Sequence, residues 1–394
     1  MGHGDSKMSN SASYPNLDLK QVEEIKMHFG KAGEMKKDVF VTWQSRLGGL
    51  AGMLFDALAE KGVLKQTVFL EAANKLGGDA DDAATVLLKI HGNTKKMLAT
   101  IVEYFAETHK SSNGDLLLHF LYKDAPSDDS RLPNYLISTP LATAIIRSAY
   151  SSLWNGNRDD LLPRLAGDSE ILTSACSLAL INSHLPMERR RMWSLLFSST
   201  QHGSSFSQLH KRISGEGPCL IVIRSTANCV FGCFASDGFL SGPHYRGDAT
   251  SFLFKLTPEM NVFFATGKSD NYAYLNCQQE TLPNGLGIGG SADVWPFFIH
   301  EEYGKGLSVQ NISSFEKCCL AGDDTFAIKD MEVWRVGRKR QLTIEEGERV
   351  RSPKSIIDKD PGAKALLEMA GRTMHSEAYR DPAPILDDED QWQQ

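Results

Sequence analysis

No apolar run in the sequence approaches the ~20 residues that a membrane-spanning helix needs. The longest, Cys219–Ile223, is the size of a strand. The seven cysteines sit at irregular spacing and no secretory leader precedes them, so a reducing, cytosolic setting is expected rather than a disulfide framework. The sequon Asn311-Ile312-Ser313 then carries no meaning. Net charge is -7 and the 42 lysines and arginines leave no half of the chain broadly basic, which excludes a dedicated nucleic-acid binder. At 394 residues, two or three domains are expected.

Catalytic and metal signatures are equally scarce. His202, His210, His244 and His300 have no G-x-S-x-G elbow to serve and no spacing that pairs a base with a nucleophile. Gly285, Gly287 and Gly290 satisfy G-x-G-x-x-G, but a turn, Leu282-Pro283-Asn284, precedes them and an aromatic strand follows. A dinucleotide site needs a strand before and a helix after. The glycines are therefore expected to let sheet backbones approach closely or bulge. Cys229 and Cys233 lie on one strand face with Phe231 between them, and Cys318-Cys319 supplies no C-x-x-C pair to complete a zinc site. No metal and no cofactor is expected.

What is present is organisation. Residues 1–16 are rich in glycine, serine and asparagine and read as a flexible arm. Over 17–124 the period is helical: Val22, Ile25 and Phe29 share a face, as do Phe69, Ala72, Ala73 and Leu76, and Met97, Ile101, Val102 and Phe105. Paired helices with short polar turns predict an EF-hand-like region. Its best loop, around Asn113-Gly114-Asp115, puts His109 and Phe120 where a calcium loop needs an acid and a bidentate glutamate, so calcium binding is not expected. Residues 125–184 read as a helical connector, with Leu141–Trp154 and Ile171–Ile181 as helices. Met187–Ser198 reads as a further helix with Pro186 at its start. The run Arg189-Arg190-Arg191 is either a solvated face or, at Arg191, a partner for an acid of the next domain.

From Cys219 the period changes to strands. Leu220–Ile223 and Val230–Phe234 flank a hairpin turn, Phe252–Leu256 and Val262–Thr266 flank another, and Tyr272–Leu275 and Trp295–Ile299 follow. Many short strands at regular spacing predict a two-sheet sandwich.

Two signatures bracket this domain. The first runs Leu185-Pro186, Arg191, Trp193, Leu195-Leu196-Phe197-Ser198-Ser199, His202-Gly203 and Ser205-Phe206. The second runs Asn284 to Gly290, Trp295, Phe297-Phe298-Ile299 and Phe326 to Trp334. Together they resemble the TLDc domain, here over 185–337. The resemblance implies an α+β chain: an antiparallel β-sandwich edged by short helices, acting as a binding and regulatory module rather than an enzyme. Within the signature His202 needs only packing and a backbone hydrogen bond.

Residues 338–394 continue with a polar linker and an expected helix opened by Asp360-Pro361. Ala363, Leu366, Leu367, Ala370 and Met374 form its apolar stripe, and the tail from Asp381 carries five acids and no base. So short a helix is marginal alone in water, so the stripe must dock on the chain's own body or in a partner's groove. The start, Met1-Gly2 with Ser6 and Lys7, fits an N-myristoylation signal at Gly2. Lys354–Asp358 and Ala365–Arg372 resemble the C-terminus of the mTOR-associated, lysosomal TLDc subgroup. That resemblance implies binding to peripheral subunits of the vacuolar proton pump (V-ATPase) through the stripe, and a link to mTOR signalling components. It also implies a cytoplasmic location, peripheral on lysosomal or endosomal membranes through the acyl chain. The alternative is an oxidation-resistance protein with thiol chemistry at Cys229, Cys233 or Cys277.

Overall fold

Asp18 starts the first helix: its carboxylate accepts from Gln21 N–H at 2.7 Å while the Gln21 side chain accepts from Asp18 N–H at 2.7 Å. The computed structural model describes residues 14–154, 161–279, 282–291, 294–310, 313–339 and 341. Helix α1 (Leu19–Phe29), strand β1 (Glu34–Lys36) and α2 (Lys37–Trp43) make one helix–strand–helix unit. Helix α3 (Gly49–Leu58), β2 (Val63–Lys65) and α4 (Gln66–Leu76) make a second. The two strands pair antiparallel, with Met35 opposite Leu64 and both buried. Phe29, Phe40, Trp43 and Phe69 stack edge to face beneath them. The strand-linked turns at 30–33 and 59–62 are thus the paired loops of this region. They carry Lys31 and Lys61, and the strands beyond add Lys36 and Lys65. The loop singled out at Asn113 is instead a short turn in which Asn113, at φ +68°, precedes α7.

Helices α5 (Ala80–His91), α6 (Thr94–Thr108), α7 (Gly114–Tyr122), α8 (Leu132–Ser138) and α9 (Pro140–Tyr150) complete the helical body. The expected stripes Val22/Ile25/Phe29, Phe69/Ala72/Ala73/Leu76 and Met97/Ile101/Val102/Phe105 all face its core. His91 is sealed in that core, its Nε2 3.0 Å from the Tyr150 hydroxyl. Burial, helped by the Lys96 charge, lowers its pKa from 6.5 to about 4. As pH falls, the unfolded chain takes up this proton first. The contribution is therefore complete above pH 6.5 and is lost between 6.5 and about 4. It amounts to about 3 kcal/mol, at ~1.4 kcal/mol per pH unit. Stability followed by urea titration across that window should show a shallower pH slope in His91→Phe than in the wild type; an unchanged slope would remove His91 from the account.

Beyond the helices come β3 (Arg164–Ala166), α10 (Ala175–His184), β4 (Met192–Ser198), α11 (Ser199–His202) and α12 (Phe206–Ile213). The expected helix over Met187–Ser198 is therefore not formed. Pro186 opens only a 3-10 turn, Met187–Arg189, and the apolar residues after it pair as a strand with β3 and with the last described strand, Thr325–Val336. That stretch of apolar residues is compatible with either period, and tertiary pairing decides it.

The strands that follow are β5 (Cys219–Ser225), β6 (Val230–Ala235), β7 (Gly242–Arg246), β8 (Phe252–Thr257) and β9 (Asn261–Phe264). Then come β10 (Ala273–Asn276), β11 (Gly285–Ile288), β12 (Phe297–His300), β13 (Lys305–Leu307) and β14 (Thr325–Val336). One sheet runs β3-β4-β14-β5-β6-β8-β9 and the other β7-β10-β11-β12-β13, and the first residues of β14 pair with β13 so that this strand joins both. All pairings are antiparallel except β3 with β4. The sandwich core takes Ile221, Ile223, Phe231, Cys233 and Val333 from one sheet and Leu275, Leu286, Ile288, Phe297 and Ile299 from the other.

The first sheet is apolar on both faces. Leu220, Val222, Phe234, Phe252, Phe254 and Trp334 point away from the sandwich and join the core of the helical body. This is why β5 reads as a continuous apolar run instead of alternating. A register shift in β4 opposite Val333 and Trp334 leaves Leu196 unpaired, so Trp193 faces the helices and Phe197 the sandwich although both are odd-numbered.

Candidate functional site

The densest polar constellation lies where the domain's first and last segments meet. Glu332 sits in β14 with only 1% of its surface exposed. Its Oε1 accepts from Glu170 N–H at 2.6 Å and Ile171 N–H at 3.1 Å; its Oε2 accepts from Ser169 Oγ at 2.6 Å and Trp334 Nε1 at 3.0 Å. Ser169 Oγ in turn accepts from Leu172 N–H at 2.7 Å. A carboxylate can serve this many donors because it has two acceptor oxygens and no donor of its own. Nearby, Arg224 donates to Glu170 O at 2.7 Å and pairs with Asp330 at 3.0 Å. Reading the sequence picked out Trp334 and its neighbours but gave Glu332 no role. The available signal was a glutamate set in the short apolar stretch between Met331 and Val333-Trp334.

His202, Arg189, Arg190 and Gly287 each hold backbone or packing in place. Ser198 N–H donates to His202 Nδ1 at 3.0 Å and the imidazole packs on Phe197, while burial and the Arg212 charge hold its pKa below the usual histidine range. Two members of the basic run are engaged: Arg189 donates to Ser236 O at 2.8 Å and lies over the Phe234 ring, and Arg190 donates to Leu185 O and Ser183 O, while Arg191 is exposed. Gly287 lies in β11 because Trp295 and Phe298 rest on its backbone; a Cβ there would stand 2.7 and 2.6 Å from their rings. Its strand follows a turn and opens no helix, so the glycine motif is a packing device, as expected.

Cys233 is fully buried in the sandwich core and burial pushes its thiol well above the usual range; burial also raises the thiol of Cys277, and Cys318 reaches about 12. Those directions oppose the thiolate that redox chemistry needs. Cys229 is half-buried at the end of the Ser225–Cys229 turn. Among the described residues no group of three histidines, cysteines or acids stands close enough to hold a metal. Gly2, Ala363, Leu366, Leu367, Ala370 and Met374 lie outside the described residues.

The helical body and the sandwich are bridged at their edges as well as through the shared core. Lys123, just after α7, pairs with Glu259 at 2.5 Å and donates to Asn261 at 2.6 Å on the β8–β9 hairpin. The end of β14 is held by Glu216, which takes Arg335 and Lys339 at 2.8 Å each. On the helical side a cleft of about 420 Å³ opens between α8–α9 and the Met187 turn, and a second compartment of about 220 Å³ adjoins it against α4 and α5.

A two-sheet antiparallel sandwich, with a helical body against one sheet and its first segment tied to the last described strand by a buried glutamate, makes this an α+β chain. Residues 166–337 match the TLDc domain, so the chain contains a TLDc domain. It is similar to the MTOR-associated protein MEAK7 of Gallus gallus, 42% identical over 215 residues, 54% of this chain and 45% of that protein. It is 35% identical to the Xenopus laevis protein of the same name over 273 residues, 66% of this chain and 58% of that one. To the Homo sapiens protein it is 40% identical over 222 residues, 56% and 47% of the two chains. The chain spans about half the length of the curated relatives it matches.

Proposed function

We propose that this protein is a non-enzymatic regulator in mTOR-linked growth signalling that works by binding, with peripheral subunits of the V-ATPase as its partner at lysosomal or endosomal membranes. The observation that carries the reading is the reach of its similarity. The likeness to relatives named for association with mTOR runs past the TLDc domain into the sequence of the helical body. Polar side chains of the TLDc signatures support it too, because Glu332 and His202 are each committed to holding backbone in place. The partner-facing element proposed is the stripe Ala363, Leu366, Leu367, Ala370 and Met374.

Pull-down of pump subunits from solubilised lysosomal membranes by the full chain tests this directly. A variant carrying Cys229→Ser, Cys233→Ala and Cys277→Ser should capture them as well as the wild type. Peroxide consumption by purified protein, lost in that variant, together with no capture of pump subunits, would favour the thiol alternative instead.

No helix among the described residues is long and apolar enough to cross a membrane, so the membrane contact proposed is peripheral, through an acyl chain on Gly2. Gly2→Ala should move the protein from membrane to soluble fractions of cells, since a single acyl chain supplies an association constant of about 10⁴ M⁻¹. Unchanged partitioning would mean that the match at Gly2 is an accident or that pump binding alone suffices.

A further inference from the structure

We propose that the two-compartment cleft of the helical body is an acyl-chain site, filled in the membrane-free protein by the lipid on the chain's own Gly2. The inference rests on the acylation reading above and adds where the acyl group resides. The two compartments, about 420 and 220 Å³, adjoin: Leu136, Ile137, Thr143 and Arg147 line both. Their combined size falls within the range of ligand pockets, about 300–1,000 Å³. Ala144 and Met187 extend the apolar wall at one end, Leu76 and Ala83 at the other. Ile137 and Met187 are 70% and 77% exposed, so two large apolar side chains on the wall of one concavity face water. Scattered exposed apolar residues need no explanation, whereas a concave cluster marks a binding surface.

The cleft names its occupant through the place where the N-terminal arm meets the body. Asn16 N–H donates to Asn74 Oδ1 at 2.9 Å and Asn16 Nδ2 to Asn74 O at 3.1 Å, and Leu17 is buried beside them. Asn16 Nδ2 also stands 3.0 Å from the position a Cβ on Gly78 would take, and Gly78 lines the second compartment. The arm therefore joins the body at the rim of the cleft. Eleven residues separate Gly2 from Tyr14. Fully extended, that chain covers about 40 Å, at ~3.3–3.6 Å per residue. This exceeds the ~30 Å breadth of a small domain, so a lipid on Gly2 can reach any part of the cleft. The lining of the larger compartment holds no carboxylate, and Asp79 in the smaller one is occupied as the cap of α5, accepting from Asp82 N–H at 2.9 Å. The positive charge of the wall is carried by Arg147, which lines both compartments, and by Arg190, whose guanidinium donates to Leu185 O and Ser183 O; an arginine stem can cover an acyl chain while its head stays in water. Because one acyl chain holds a membrane only marginally, a cleft offering it similar cover makes membrane attachment a near-balanced competition that small changes at α8–α9 would tip.

The test uses the full chain co-expressed with an N-myristoyltransferase, acylation being verified by intact mass, and neutral phosphatidylcholine vesicles. Ala144→Trp fills the cleft. If the lipid is held there nine-tenths of the time, its release should raise vesicle binding of the acylated protein about tenfold. The same change in a Gly2→Ala background should do nothing. Independently, amide exchange in α8 and α9 should be slower in the acylated wild type than in Gly2→Ala, a comparison that stands even if the tryptophan variant misfolds. Equal exchange and equal vesicle binding would overturn the cleft assignment while verified acylation leaves the lipid anchor intact. A chain whose mass shows no acyl group would overturn both. Protection of α8–α9 in Gly2→Ala by added free myristate, but not by the attached chain, would make the cleft a site for separate lipid and overturn the assignment to Gly2.

Discussion

Glu332→Gln is expected to lower the unfolding free energy by about 3–5 kcal/mol, the range for breaking a buried charged network by removing one partner. The reason is geometric. Each carboxylate oxygen accepts two hydrogen bonds, from Glu170 and Ile171 N–H on one side and from Ser169 Oγ and Trp334 Nε1 on the other. A glutamine amide has one oxygen and an NH2 group, so either orientation sets a donor against donors. Only the Ser169 hydroxyl can rotate to escape. Orphaned buried N–H groups cost about 1–3 kcal/mol each. At ~2–4 °C per kcal/mol for a domain of this size, the melting temperature should fall by roughly 10 °C. Lys123→Ala, which removes a more exposed inter-element pair, should change stability by no more than about 1 kcal/mol. If calorimetry finds the glutamine variant within that smaller margin, the carboxylate is not what fastens residues 169–171 to β14.

A double change of Leu366 and Leu367 to Asp should weaken pump association by one to two decades per residue and leave the melting temperature of the isolated protein almost unchanged. Burying a leucine contributes about 1.5–3 kcal/mol, and ~1.4 kcal/mol is a decade of affinity. The two side chains belong to the stripe with Ala363, Ala370 and Met374, and the measurement is affinity for purified pump subunits beside a thermal scan. A distinctly lower melting temperature would assign the stripe to the protein's own core and withdraw it from the partner.

The strand pairs were legible where local signals agreed with tertiary demands. Turn residues between Ile223 and Val230, and around Thr257-Pro258, mark β5–β6 and β8–β9 because hairpin register is set locally. The packing role of Gly287 was legible from what flanks it. The helix expected at Met187–Ser198 failed because its competitor is remote in sequence: β14, more than a hundred residues on, supplies the hydrogen bonds that make a strand there. Strands β1 and β2, three residues each, carry too little period to read. The Glu332 clamp and the cleft were hidden for a related reason. Each is assembled from segments far apart in the chain, and no spacing within one segment records them.

The position of β14 has a mechanical consequence. From Met331 to Arg335 it pairs with β5 on one side, and from Glu332 to Val336 with β4 on the other, and its last residues lead directly into the C-terminal segment. Tension applied beyond Gly337 would act along the strand axis, loading both ladders in shear at once instead of peeling a hydrogen bond at a time from an edge. A tether built this way yields at the rate of whole-domain unfolding. A protein whose tail grips a moving partner would thus transmit force into its sandwich without fraying at the point of attachment.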